Sequence, residues 1–146
     1  MAIAPHPDQL DVERINLAVY RAFEALDLPA MLALWVQDDS ASCVHPGWEP
    51  LSGWGEVRTA WESIFANTES IRFDLSDVNV MVSGSLAVVR LIENIESESG
   101  GEITQGRAMA TNVFVRSPTG WLIVHHQATP IAAEDGDEGE ANTTLH

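Results

Sequence analysis

The sequence has no lysine and only seven arginines against 22 acidic residues, so its formal net charge at pH 7 is -15. Proteins that bind nucleic acids or anionic membrane surfaces need clustered basic side chains to contact the phosphates. This shortage of positive charge therefore argues against nucleic acid and against a membrane surface as partners.

Cysteine is almost as scarce, because Cys43 is the only one. A single cysteine excludes an intramolecular disulfide framework and a cysteine-rich zinc module. No apolar run approaches the roughly 20 residues that a membrane-spanning helix needs. The first seven residues also lack the charged and apolar regions of a secretory signal. We therefore expect a cytoplasmic protein.

The composition is that of an ordinary globular chain, since 45% of the 146 residues are hydrophobic. This length is enough to bury one core, and we expect a single domain over residues 9–131. Residues 1–8, which contain Pro5 and Pro7, form a predicted N-terminal arm. Residues 132–146 form a predicted acidic C-terminal tail.

Three stretches show apolar residues every three or four positions, which is the spacing of one helix face. They predict helices over residues 9–26, from Pro29 to about Asp38, and over residues 54–66. Asp8 or Asp11 is a suitable cap for the first helix.

The strand signals are concentrated in the second half of the chain. A short strand at residues 40–45 and its antiparallel return at 51–53 precede the third helix. Four long strands follow, at residues 71–82, 86–97, 102–116 and 121–128. Because short turns join them, they predict an antiparallel meander. The class is therefore α+β, with a sheet that curls around the first helix into a cone with a pocket at its open end.

This order of elements and six short strings resemble the SnoaL-like branch of the NTF2-like superfamily. The strings are ALDLP at 25–29, CVHPGW at 43–48, LSGW at 51–54, WESIF at 61–65, TNVF at 111–114 and GWLIVHH at 120–126. The resemblance implies an NTF2-like (cystatin-like) cone, in which three N-terminal helices pack on a strongly curved, mostly antiparallel sheet. It also implies a homodimer through the sheet face. It implies no single chemistry, because the superfamily includes isomerases, cyclases, dehydratases and assembly domains.

The related ketosteroid isomerases use a carboxylate base, a tyrosine and a protonated aspartate. In this sequence the position of the base falls on His45, that of the tyrosine at or next to Val19, and that of the aspartate near Asn112. Tyr20 is one residue from the tyrosine position, and one residue turns a helical side chain by about 100°. We therefore expect a pocket of the same shape with different polar groups, and not a steroid isomerase.

Histidines are the leading candidates for chemistry, and His45 comes first because an imidazole takes up or releases a proton near neutral pH. Alternatively, His45 fixes the turn that follows it through a backbone hydrogen bond. His125 and His126 are adjacent on the last predicted strand, so only one of them would enter the cone. One face would carry Trp121, Ile123, His125 and Gln127, and the other Leu122, Val124, His126 and Ala128. The sequence leaves open which face points inward.

The candidate ligand-binding residues are Trp48, Trp54, Tyr20, Asn112 and Arg107. Trp48 and Trp54 would form a wall for a flat organic ligand, or a lid that closes the cone with its own side chains. Arg107 would clamp a ligand carboxylate, or would pair with Glu93 or Glu96 on the neighbouring strand.

Cys43 and His45 lie two residues apart on one strand face, and a histidine of the last strand could join them as a further metal ligand. Because no tight metal-ligand spacing is present, we predict no metal site. The sequence also implies no cofactor. A nucleophilic Cys43–His45 pair is also disfavoured, since no basic neighbour lowers the pKa of the thiol.

Two functions fit these patterns. The first is the binding of a small, largely apolar organic molecule in the cone pocket, with histidine-mediated acid–base chemistry of the isomerase, cyclase or dehydratase type. The alternative is a non-catalytic dimerisation or assembly module, in which side chains fill the cone and a second copy buries an apolar patch of the sheet.

Overall fold

The computed structural model describes residues 6–133; residues 1–5 of the predicted arm and 134–146 of the predicted tail lie outside the described residues. Nine helices and strands follow one another within that range. They are α1 (Pro7–Ala25), α2 (Leu28–Ala33), β1 (Ser42–Val44), β2 (Leu51–Ser52), α3 (Trp54–Ala66), β3 (Ser70–Ser83), β4 (Leu86–Ser99), β5 (Glu102–Ser117) and β6 (Gly120–Ile131). The predicted α+β fold, with helices packed on a curved and mostly antiparallel sheet, is confirmed; α1 and α3 contact the sheet, whereas α2 packs mainly against these two helices.

The six strands form one sheet in the order β2-β1-β6-β5-β4-β3. Strands β3 to β6 form the predicted antiparallel meander. Strand β1 pairs antiparallel with β2 but parallel with β6, so that Cys43 lies beside His126. This parallel pairing places the segment that ends at His45 next to the last strand of the chain.

Helix α1 begins at Pro7, two residues before the predicted start, and His6 caps it. The backbone N–H of Asp8 donates to Nδ1 of His6 at 3.0 Å, while Pro7 occupies a position where its missing N–H costs nothing. The prediction that Asp8 or Asp11 caps this helix is therefore wrong. Asp8 instead pairs with Arg116 of β5 at 2.6 Å and ties the start of α1 to the sheet.

Helix α2 ends at Ala33, well before the predicted end near Asp38. The chain leaves the helix because it pairs with β6 instead: the N–H of Val36 donates to the carbonyl of Ile123 at 2.9 Å, and the N–H of Ile123 donates to the carbonyl of Leu34 at 2.8 Å. These bonds satisfy backbone groups that a longer helix would otherwise have used.

The core lies between α1, α3 and one face of the sheet. Phe23 of α1 contacts Trp61 and Phe65 of α3, with ring centroids 5.1 and 5.5 Å away, and Phe73 of β3 at 4.9 Å. Glu24 also accepts a hydrogen bond from the backbone N–H of Phe73 at 2.8 Å, which fixes α1 across β3. We call the sheet face toward these helices the inner face and the opposite one the outer face.

Two irregularities change which side chains point inward. In β6, Ile123 pairs with Phe114 and His125 with Val113, so Val124 is an extra residue. A bulge of this kind shifts the alternation by one residue. The inner face therefore carries Trp121 and Ile123 before the bulge and His126 and Ala128 after it, and neither predicted set of β6 residues is correct as a whole.

The second irregularity lies in β3, between Ser76 and Asn79. Asp77 has a positive φ of 53° there and does not continue the inner face that begins with Phe73 and Leu75.

No helix within residues 6–133 has both the length and the apolar character that crossing a membrane requires.

Candidate functional site

The inner face and helix α1 bury an unusual number of polar side chains. Within residues 6–133, the buried polar or charged residues are Asn16, His45, Glu93, Asn112 and His126. They come from α1, the turn after β1, and strands β4, β5 and β6. Burial of a polar group costs free energy unless a hydrogen bond compensates it. Their concentration in one interior therefore marks the candidate site.

Asn112 is the centre of the site and is fully buried. Its Nδ2 donates to Oδ1 of Asn16 at 2.9 Å and to the hydroxyl of Tyr20 at 3.2 Å. Its Oδ1 lies 2.6 Å from Nδ1 of His126. Because an amide oxygen only accepts, Nδ1 of His126 must carry the proton, and Nε2 of this imidazole keeps its lone pair.

Glu93 extends the chain of hydrogen bonds beyond Tyr20. The Tyr20 hydroxyl accepts from Asn112, so its own proton is donated to Oε2 of Glu93, at a short distance of 2.6 Å. Oε1 of Glu93 has no hydrogen-bond partner in the described part of the chain. We call Glu93, Tyr20, Asn112, Asn16 and His126 the interior network.

His45 lies beside this network, and its ring contacts three other rings. The centroids of Trp61, Trp48 and His126 are 4.8, 5.1 and 5.8 Å away. Its Nε2 is 3.3 Å from Sγ of Cys43. His45 is 3% exposed, whereas Trp48, whose ring contacts it edge-on, is 39% exposed.

The two inner histidines are uncharged at neutral pH. Burial lowers the pKa of His45 to about 4. The pKa of His126 is lowered to about 3, first by burial and then by the neighbouring imidazoles. Both rings therefore act as hydrogen-bonding groups and not as cations.

Glu93 behaves differently, since burial raises the pKa of its carboxyl to about 7 while the Tyr20 hydrogen bond opposes this rise. Burial and the nearby Glu93 raise the pKa of Tyr20 well above its ordinary value. The same two causes raise the pKa of the Cys43 thiol. Cys43 is therefore a thiol and not a thiolate, and a thiol is a poor nucleophile.

The structure brings together four residues that the sequence singled out: His45, His126, Tyr20 and Asn112. Trp48 lies against His45, but Trp54 packs toward Trp35, with ring centroids 6.4 Å apart. Trp54 therefore packs against the core, at Trp35, and not against His45.

Two other candidate residues lie on the outer face: His125, for which the sequence left the face open, and Arg107, whose predicted place in the pocket as a clamp for a ligand carboxylate is corrected. His125 follows the bulge on the side opposite His126, and its Nδ1 is 2.6 Å from Oγ of Ser42. Arg107 donates to Oδ1 of Asn94 at 3.2 Å and to the carbonyl of Ala132 at 2.9 Å. Glu93 points to the inner face of β4, whereas Arg107 points to the outer face of β5, so the two side chains cannot pair.

Sequence reasoning missed Glu93 and Asn16 as members of the site. Glu93 directly follows the apolar pair Leu91 and Ile92 on β4, and a carboxylate that interrupts such a run is a signal of burial. Asn16 lies four residues after Val12 on the buried stripe of α1. A polar residue at a buried helical position is the corresponding signal there.

The chemistry open to this site is hydrogen bonding and proton transfer. Residues 6–133 contain no group of three histidine, cysteine or acidic side chains arranged to hold a metal ion. The arginines do not enter the interior either, since six are exposed and Arg107 is on the outer face. The site therefore offers no cation for an anionic ligand.

A family model of the SnoaL-like domain matches residues 12–133. Among solved structures, the chain is similar to a protein from Streptomyces avermitilis that is provisionally named a dehydratase of the NTF2-like family. The two are 38% identical, the match covers 89% of this chain and 100% of that one, and the TM-score is 0.83.

A second similar structure is provisionally named a calcium/calmodulin-dependent protein kinase type II association domain, from Thiobacillus denitrificans. It is 31% identical, with 90% of this chain and 99% of that one covered, and a TM-score of 0.72. Among curated proteins, F-box protein SKIP8 of Arabidopsis thaliana is 25% identical over 121 residues, which are 83% of this chain and 50% of the relative. The chain thus spans about half the length of that relative.

Proposed function

The chain belongs to the SnoaL-like domain family of the NTF2-like superfamily, and from this membership we propose that it binds a small, largely apolar organic molecule inside its cone. We further propose acid–base chemistry of the isomerase, cyclase or dehydratase type on that molecule. The observation that carries the proposal is the interior network beside His45, because it gathers a buried carboxyl and a buried imidazole next to a second imidazole, and titratable groups with shifted pKa values cluster at functional sites.

The surroundings of the network favour a flat, uncharged ligand. Trp48 and Trp61 flank His45, and Tyr20 packs edge-on against Phe73 at 5.1 Å. Aromatic walls with a few convergent polar groups are typical of sites for small organic molecules. A carboxylate ligand fits poorly, since it would face Glu93 without an arginine to pair with.

In this proposal, His45 contacts the bound ligand. The ring of His45 contacts both the partly exposed Trp48 and His126 of the network, so it lies between them. The sequence assigned it general acid–base catalysis, but with a pKa of about 4 it is a weak base at neutral pH. Its uncharged ring is better suited to orienting the ligand through a hydrogen bond.

A binding experiment with 2-naphthol, a flat and uncharged aromatic alcohol, tests this proposal. We expect saturable binding, followed by the fluorescence of the tryptophans around His45. The His45→Ala variant should bind about tenfold more weakly, since a buried hydrogen bond contributes about 1 kcal/mol or more. His125→Ala is the matched control on the outer face and should bind like the wild type. Absence of saturable binding, or equal weakening by both substitutions, would contradict the proposal.

A second candidate function is assembly through the sheet. The outer face exposes large apolar side chains on three neighbouring strands, namely Met81, Leu86, Ile103 and Met109, each between 44% and 65% exposed. These side chains are spread along the sheet, from Leu86 at one end of the β4–β5 pair to Ile103 at the other. An apolar surface of this extent fits a second copy of the chain, with homodimerisation through the sheet face. The similarity to a protein named for an association domain supports this candidate.

Light scattering coupled to size-exclusion chromatography tests the homodimer. We expect a dimer for the wild type and a monomer for Met109→Lys. Leu17→Lys replaces an apolar residue that is 42% exposed on α1, away from the sheet, and should remain dimeric. A wild type that stays monomeric at every concentration measured would exclude this assembly.

A further inference from the structure

We propose that Oε1 of Glu93 is the atom that exchanges a proton with the bound molecule, which makes Glu93 the acid–base residue of the interior. This inference rests on the proposed binding of a small molecule there and adds the residue, the atom and the class of substrate. It follows from the directions of the hydrogen bonds in the interior network.

The network fixes which oxygen of Glu93 is free. Oε2 receives the proton of Tyr20, whose hydroxyl in turn accepts from Asn112. An ionised Glu93 therefore presents Oε1 as its open acceptor, and a neutral Glu93 must carry its proton on Oε1. Both states therefore keep every hydrogen bond of the network, so a change in the protonation of Glu93 breaks none of them.

The other titratable groups near Glu93 are less suited to this role. His126 on β6 and His45 after β1 have pKa values of about 3 and 4, and burial raises the pKa of Tyr20 on α1 and of Cys43 on β1. Glu93 makes no ion pair with any described residue. A general acid or base works best when its pKa is close to the working pH, and Glu93 meets this condition with a pKa of about 7.

The class of substrate follows from the same geometry. The ionised carboxylate removes a proton from a weak carbon acid, so the substrate should carry a C–H bond next to an electron-withdrawing group. It should also be uncharged, because the interior holds no arginine that would offset a second negative charge beside Glu93.

The probe for this proposal is 5-nitrobenzisoxazole, a flat, uncharged molecule with one acidic carbon-bound proton. In the proposed step Oε1 of Glu93 takes this proton, the C–H electron pair forms the nitrile triple bond, and the nitrogen–oxygen bond breaks. The product is 2-cyano-4-nitrophenolate, which absorbs visible light, and Glu93 later returns the proton to water.

We expect the wild type to convert this probe with a rate that rises with pH around a midpoint near 7, because the ionised carboxylate is the base. Glu93→Gln keeps an acceptor for Tyr20 but cannot take the proton, and its rate should fall by a factor of at least about 100. Glu96→Gln changes an exposed glutamate of the same strand and should leave the rate unaltered.

Tyr20→Phe provides a second variant with a different signature. Its hydroxyl holds the pKa of Glu93 down, so its removal should move the midpoint to higher pH while conversion persists. A residue with a purely structural role would change the rate without moving this midpoint. An unmoved midpoint in Tyr20→Phe would therefore overturn the assignment.

The remaining outcomes separate the two proposals. If Glu93→Gln converts the probe like the wild type while His45→Ala does not, the assignment to Glu93 is wrong and binding in the interior stands. The assignment is equally wrong, and binding equally stands, if the wild type binds the probe without converting it. If the wild type neither binds nor converts it, the assignment and the proposed function fail together.

Discussion

Asn112 and Asn94 provide a direct comparison of buried and accessible hydrogen bonds. Each side chain takes part in three. Asn112 bonds Asn16, Tyr20 and His126 at 2.6–3.2 Å and is fully buried. Asn94 bonds the Asp74 carbonyl, Ser76 and Arg107 at 2.8–3.2 Å and is half-buried on the outer face. We predict that Asn112→Ala destabilises the fold far more than Asn94→Ala.

The magnitude depends on the groups that each substitution leaves behind. Asn112→Ala strands Oδ1 of Asn16 and the Nδ1 proton of His126 inside the protein, whereas Tyr20 keeps its bond to Glu93. Each buried group without a partner costs about 1–3 kcal/mol, which gives a loss of about 2–6 kcal/mol. Water can replace Asn94, so its loss should be about 1 kcal/mol.

Urea unfolding of both variants, followed by tryptophan fluorescence, measures these losses. The comparison requires equal dependence of the unfolding free energy on urea concentration, so that changes in midpoint report changes in stability. Equal losses for the two variants would refute the reasoning, because they would mean that burial of the interior network does not decide its contribution.

Three further predictions concern stability. Burial raises the pKa of Glu93 from 4.5 to about 7, so its protonated form stabilises the fold below pH 4.5 and this contribution, up to about 3 kcal/mol, is lost as the pH rises through 7. In urea unfolding, the wild type should lose stability between pH 5 and pH 8, and Glu93→Gln should lack that loss. An equal loss of stability in the wild type and the variant would disprove the linkage. Phe114 is fully buried, so Phe114→Ala should cost about 3–5 kcal/mol in the same assay, and a loss below about 1 kcal/mol would contradict its place in the core. Asp27 caps α2 through the N–H of Ala30 at 3.1 Å, so Asp27→Ala should cost about 1 kcal/mol, and an unchanged stability would show that the cap contributes nothing.

The helices and the meander could be predicted because their apolar spacing is a local property of the sequence. Helix α3 has the predicted bounds, Trp54–Ala66. The faces of β6 could not be assigned in the same way, since alternation assumes an unbroken strand. One extra residue, Val124, places His126 on the inner face and His125 on the outer face. No pattern in the local sequence predicts this bulge.

The site depends on contacts between distant parts of the chain. His45 meets His126 because β1 runs parallel to β6, whereas the sequence indicated only the pairing of β1 with β2. Glu93 was hidden among 22 acidic residues, most of which are typical of a solvated surface. Its burial follows from its register on β4, where it lies opposite the fully buried Ala108. Register of this kind is set by the whole sheet and not by neighbouring residues.

The central claim is that Glu93 is a buried carboxyl which shares one oxygen with Tyr20 and exchanges its proton near neutral pH. Carbon-13 NMR of glutamate side-chain carboxyls, recorded as a function of pH, tests it most directly, with Glu93→Gln to assign the signal. The account predicts one carboxyl that titrates with a midpoint near 7 and is missing from the variant. A Glu93 signal that titrates at the ordinary value of 4.5 would contradict it.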